Sequence, residues 1–119
     1  MEDYIIREID RIGEMLLHVA RRLGLFKSDS PNYGLAEVKQ EFDRESLPFD
    51  MDTVLKQRNP VLYLAEEKGL SDAGLETFIE IIFHSDLDEA VKKALLADAI
   101  AYLDRKGNYS FRLHSLLGE

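Results

Sequence analysis

The sequence predicts an all-α fold: a compact bundle, or a stack of antiparallel helices, led by one long N-terminal helix. Three observations predict it. Apolar residues near the N-terminus recur in alternating steps of four and three. Residues that start and stop helices punctuate the remainder at short intervals. No convincing β-strand appears beside them.

Ile5, Ile9, Ile12, Leu16, Val19, Leu23 and Phe26 carry the first signal. Their spacing keeps all seven on one stripe of an α-helix and would scatter them over both faces of a strand. Tyr4, Ile6, Met15, Leu17 and Ala20 widen that stripe beyond a narrow seam. The spacing predicts a helix over 3–26, stopped by Lys27-Ser28-Asp29-Ser30-Pro31. Leu35, Val38 and Phe42 mark a second helix ending before Leu47-Pro48, and Asp50 or Asp52 is positioned to cap a third through Val54 and Leu55. Asn59-Pro60 pairs a capping residue with proline at the first helical position, a strong start signal. That helix carries Val61, Leu62, Leu64 and Ala65 and stops at Gly69. Ser71 caps a helix bearing Leu75, Phe78, Ile79, Ile82 and Phe83; the run 78–83 is strand-like by itself, but both flanks read as helix. Ser85-Asp86-Leu87-Asp88-Glu89 holds two overlapping capping boxes, Ser85 with Asp88 and Asp86 with Glu89, at the start of a helix running to Lys106. Leu87, Ala90, Val91, Ala94, Leu95, Ala101 and Tyr102 are its expected buried side, and Gly107 its stop. A last short helix, 109–117, offers Phe111, Leu113, Leu116 and Leu117.

The chain has 119 residues, 45% apolar and 32% charged, which suits one domain over 1–119 with one core. It contains no cysteine, so disulfides, thiolate metal sites and cysteine nucleophiles are excluded. Fifteen Lys and Arg against 23 Asp and Glu give a net charge of −8, which disfavours a nucleic-acid partner. The first twelve residues, MEDYIIREIDRI, interrupt any apolar stretch with charge, unlike a secretory leader. The longest purely apolar run, Val61 to Ala65, falls far short of the ~20 residues a membrane span needs. A cytoplasmic chain with no membrane partner is the expectation.

Chemistry-bearing motifs are sparse. His18, His84 and His114 stand apart, with no second histidine three or four positions away, so helical metal ligation lacks its simplest spacing. Glu14 and His18 share a face at i,i+4 and are read as a surface pair. The loop from Asp29 puts Gly34 at position six, but Pro31, Tyr33 and Gln40 occupy positions where a calcium loop needs oxygen ligands. GxxxxGK[ST], GxGxxG and GxSxG do not occur, so no phosphate loop or serine-hydrolase elbow is present in sequence. Arg21-Arg22 and Lys92-Lys93 are the tightest basic pairs and are read as solvated helix faces. No catalytic residue, metal ligand or cofactor is expected.

Two interaction surfaces stand out instead. Between Asp72 and Glu89 lie six acids and no base, and Asp72, Glu76 and Glu80 fall four apart on one helix face. That acidic stripe is a solvated face or a receptor for a basic partner. The apolar stripe headed by Ile5, Ile9, Ile12 and Leu16 either faces the rest of the bundle or pairs two copies of the chain.

Asp3-Tyr4-Ile5 followed by Arg7 and Ile9 resembles the opening of small bacterial all-helical proteins grouped as a domain of unknown function with a tetratricopeptide-like fold. The likeness covers the first 26 residues; beyond them it is one of helical character. The repeat pattern itself is not met. Laying its paired small positions on Ala94 and Ala101 puts Asp98 where an aromatic belongs and Lys106 where proline belongs. The resemblance implies a stack of helices and no catalytic residue. The functional expectation is a protein-interaction or scaffold domain whose partner is another protein or a second copy. The alternative is a small-molecule binder or enzyme with a pocket between helices, drawing on His18, His84 or Tyr102.

Overall fold

The first helix, α1, spans Glu2–Leu23. The computed structural model describes residues 2–27 and 31–118, with side chains from Arg11 onward. The side chains of Ile5 and Ile9 and the helix stop at 28–30 lie outside that description. Within it, Leu16, Val19 and Ala20 are fully buried, and Ile12 and Leu23 pack partly against the core. The α1 stripe therefore faces the chain's own helices, α2 and α5, over its described half. The helix ends three residues earlier than its periodicity predicts. Gly24 turns left-handed at φ +84°, a conformation that glycine alone adopts without strain. Phe26 is thereby left 53% exposed in the following turn.

Leu35–Glu45 forms α2 and Met51–Lys56 forms α3. The N-terminus of α3 is capped as its sequence predicts, the Asp50 carboxylate accepting from Thr53 N at 2.8 Å. Pro60–Leu62 opens α4, with Asn59 Oδ1 accepting from Leu62 N at 3.2 Å; the chain continues as a π-helical stretch, Tyr63–Glu67. Asp72–Phe83 is α5, capped by Ser71 Oγ on Gly74 N at 3.1 Å. This helix is the centre of the molecule. Leu75, Phe78, Ile79, Ile81 and Ile82 are all buried, so a helix apolar on several sides explains the strand-like run in its sequence. The Phe78 ring lies 6.1 Å from Phe42 and 6.2 Å from Phe49. Gly13 and Gly74 let α1 and α5 approach: a Cβ on Gly74 would sit 3.3 Å from Gly13 Cα and 2.6 Å from Leu70 Cδ1.

Glu89–Arg105 is α6, and here two sequence expectations are corrected. Its cap is Asp88, whose carboxylate accepts from Ala90 N and Val91 N. Ser85 Oγ instead accepts from Leu87 N, and Asp86 reaches across to Leu35 N at 2.7 Å, supplying α2 with the cap that Gly34 lacks. The buried face is also rotated from the expected one. Leu95, Leu96, Ala99, Ile100 and Leu103 are buried, whereas Ala90, Val91, Ala94 and Ala101 are exposed. Leu87 and Tyr102 are half-buried. Lys92 joins the buried side, its ammonium donating to Ser85 O and pairing with Glu89, both at 2.9 Å. It is no solvated partner to Lys93.

Phe111–Leu117 is α7, capped by Ser110 Oγ on Leu113 N at 3.1 Å. No strand occurs among the described residues; Tyr33 and Ser85 make an isolated bridge. The radius of gyration, 13.6 Å, is what one compact body of this length should show. The fold is an all-α bundle.

A second polar contact fixes α1 to α2. Arg22 pairs with Glu41 and with Glu45, and His18 Nδ1 lies 3.1 Å from Glu45 Oε2, so His18 pairs across the bundle and not with Glu14. The Arg22 hydrogen bond first, and His18 second, hold the Glu45 carboxyl below its usual range. A carboxyl depressed by folding stabilises the native state above its unfolded value, and that contribution is lost as pH falls through the folded value. Glu45→Gln is therefore expected to cost about 0.5–1 kcal/mol at pH 7 and less at pH 3. Urea titrations at the two pH values check it; an equal loss at both would remove the ion pair as the cause.

Candidate docking face on the C-terminal arm

The segment from Lys106 to Gly118 lies against α5 and α6 as an arm. Its polar residues meet the acidic stripe one by one. Lys106 Nζ bonds Asp72 at 2.8 Å, and Asn108 donates to the same carboxylate. Ser110 Oγ donates to Glu76. Arg112 pairs with Glu80 and lies 3.8 Å from Glu76. The registers match for a geometric reason. Four residues of α-helix rise ~6 Å, close to the ~6.6 Å that two residues of extended chain cover. Asp72 and Glu76, four apart on α5, thus meet Asn108 and Ser110, two apart in the non-helical stretch before α7, and Glu80 meets Arg112 in the first turn of α7. The Asp72 hydrogen bond raises the affinity of Lys106 for its proton.

The acidic stripe, Asp72, Glu76 and Glu80, is therefore a seat for the chain's own arm. The sequence expectation of a solvated face is corrected accordingly, and the basic groups that meet the stripe are the chain's own Lys106 and Arg112. Its side chains are 30%, 20% and 17% exposed, well short of a free surface.

The same alternation sends the intervening residues outward. Tyr109 is 59% exposed and Phe111 79%. Their rings meet edge to face at 5.0 Å, and Tyr109 stacks on the His114 imidazole at 4.2 Å with 9° between planes. His114 Nε2 is buried without a hydrogen-bond partner, 3.8 Å from Asp104 Oδ1. Leu113 is fully buried on the side of α7 opposite Phe111, and Leu117, 56% exposed, lies one turn beyond Leu113 at the end of the helix. The short helix is apolar both inward and outward. Of the five large apolar side chains most exposed among the described residues, three belong to the arm. Phe111 and Leu117 were legible in sequence as members of an apolar set; Tyr109, Asn108, Ser110 and Arg112 were missed. The alternation from Lys106 to Arg112 was the signal that could have found them.

Comparison with protein-family models, curated proteins and solved structures finds no match to the chain. The geometry alone speaks for function.

The chain also has open clefts of about 570 Å³ beside Asp72, Tyr102 and Lys106, about 480 Å³ beside Arg21, Arg22, Phe26 and Lys27, and about 310 Å³ beside Arg11, Ile12, Met15, Ser46 and Pro48. A crevice of about 260 Å³ between α1, α5 and α7 is lined by Gly13, Glu14, Leu17, Gly74, Thr77 and Arg112 among others. Typical ligand pockets run to ~300–1,000 Å³, and the guanidinium here is already ion-paired. Of the sequence-expected pocket groups, Tyr102 lines the 570 Å³ cleft while His18 and His84 line none of these concavities, so the three are not brought together. His84 sits half-buried beside Phe83; burial, with a contribution from Lys92, lowers its proton affinity against the opposing pull of Glu80. Among the described residues no three His, Asp or Glu side chains group to hold a metal, and no helix is long and apolar enough to cross a membrane.

Proposed function

We propose that the chain is a protein-interaction domain that docks another protein on the outer face of α7. The observation that carries this is the two-sidedness of that helix: Leu113 is 0% exposed on the inner side and Phe111 79% on the outer. A helix apolar on opposite sides is satisfied only when covered on both. The patch made by Tyr109 and Phe111, on the order of 300 Å², reaches the size at which a monomer's exposed apolar surface is often functional. Its residues sit on a backbone anchored by the α5 seat, so the face is presented without a large ordering cost.

The test is a selection of twelve-residue peptides on the whole protein, followed by ¹⁵N-amide mapping of the strongest binder. Shifts are expected over 109–117, with about tenfold or greater loss of affinity in Phe111→Ser. Phe111 is exposed, so this variant should fold normally. Peptides that leave 109–117 unshifted and bind the variant as well as the parent would end the reading. Shifts centred on Gly13, Gly74 and Arg112 would move the function to the crevice and to the small-ligand alternative.

A further inference from the structure

We infer that the partner presented to this face is a cationic segment of another protein, an arginine- or lysine-bearing stretch with apolar anchors. The inference rests on the docking reading above and adds the chemistry of the occupant. Electron-rich ring faces attract cations through their quadrupole, and Phe111, 79% exposed, with Tyr109, 59% exposed, presents ring surface here outside their edge-to-face contact and the His114 stack. Asp104 stands at the rim, 49% exposed on its side chain, with His114 3.8 Å away. The arm's own cations do not answer it: Lys106 is held by Asp72, and Arg112 by Glu80 and Glu76. The chain as a whole carries −8, which steers cations toward it and repels a like-charged copy.

Area and charge together weigh against a second copy. A stable interface buries ~800 Å² from each partner, polar rim included, of which the two rings supply on the order of 300 Å². Two chains of charge −8 would have to make up the deficit against their own repulsion. A cationic partner makes it up with attraction. Arg105 is the competing charge: it is exposed and adjacent to Asp104 in sequence, and its removal should strengthen the site.

The experiment uses the whole protein, ¹⁵N-labelled, at physiological salt. Two ten-residue probes are titrated: a repeat of glycine, arginine and leucine, and its counterpart with glutamate for each arginine. The arginine peptide is expected to shift amides at Asp104 and 109–117, and the glutamate peptide to bind about tenfold more weakly or not at all. Asp104→Asn should weaken the arginine peptide about two- to fivefold and leave the glutamate peptide no worse. Arg105→Gln should change affinity for the arginine peptide in the opposite direction. Equal binding of both probes, lost together in Phe111→Ser, overturns the cationic partner and leaves the docking face standing. Equal binding that survives Phe111→Ser overturns both. Shifts scattered over exposed acids with none at the rings also overturn the inference, as would concentration-dependent shifts at 109–117 without peptide, which identify a second copy as occupant.

Discussion

Phe78→Ala is expected to destabilise the protein by about 3–5 kcal/mol, a large share of the ~5–15 kcal/mol that holds a domain of this size. Phe78 is 0% exposed and sits in the middle of α5, between α2 and the chain preceding α3. Its ring is one corner of a triangle with Phe42 and Phe49, at 6.1, 6.2 and 6.1 Å. Truncation removes the transfer energy of the ring and leaves a cavity that two other rings border. Those rings are held by separate elements and collapse only partly into it. Phe111→Ala changes the same side chain at a position 79% exposed, and should stay within about 0.5 kcal/mol of the parent. Urea unfolding followed by far-UV circular dichroism measures both. A Phe78→Ala loss below about 1 kcal/mol, or an equal loss at Phe111, would show that the core is not centred on α5 as described.

That contrast also marks where the sequence was legible. Caps and stops are local chemistry: Asp50, Asn59 and Ser71 cap the helices they precede, and Gly69 and Gly107 turn left-handed where helices were expected to end. The α1 stripe was readable because its two faces differ sharply. α6 was not, because both of its faces are apolar. Ala90, Ala94 and Ala101 line the outside while Leu95, Leu96, Ala99 and Leu103 line the inside. Periodicity alone cannot choose between such faces, and Lys92 on the buried one argued for the wrong choice. The arm was hidden for a different reason. Asp72, Glu76 and Glu80 meet partners 32 to 36 residues downstream, and the match depends on setting a helical repeat against a turn, a short non-helical stretch and the start of α7. An unpaired acidic stripe and a paired one look identical in sequence.

Arg112→Ala should release the arm. The guanidinium serves two carboxylates and Thr77 Oγ1 at once. Without it Glu76 and Glu80, four apart on α5, face each other as like charges in surroundings that leave them only 20% and 17% exposed. Groups stranded in that way cost more than the bond that was lost, and a destabilisation of about 1–3 kcal/mol follows. It should be concentrated in the arm. Leu113 is the arm's only fully buried large apolar residue, so little else retains α7 once the ion pairs fail. Amide exchange at 111–117 should accelerate well beyond that of α5, and docking at Tyr109 and Phe111 should weaken in parallel, since the face loses its fixed backing. The triple variant Arg112→Met, Glu76→Gln, Glu80→Gln separates the causes. If stranded charge is what loosens the arm, removing all three charges restores much of the protection that Arg112→Ala loses, because no ionised group is left without a partner. If the arm instead stays protected in Arg112→Ala, then Leu113 and Leu116 hold it unaided, and the acidic seat contributes register without strength.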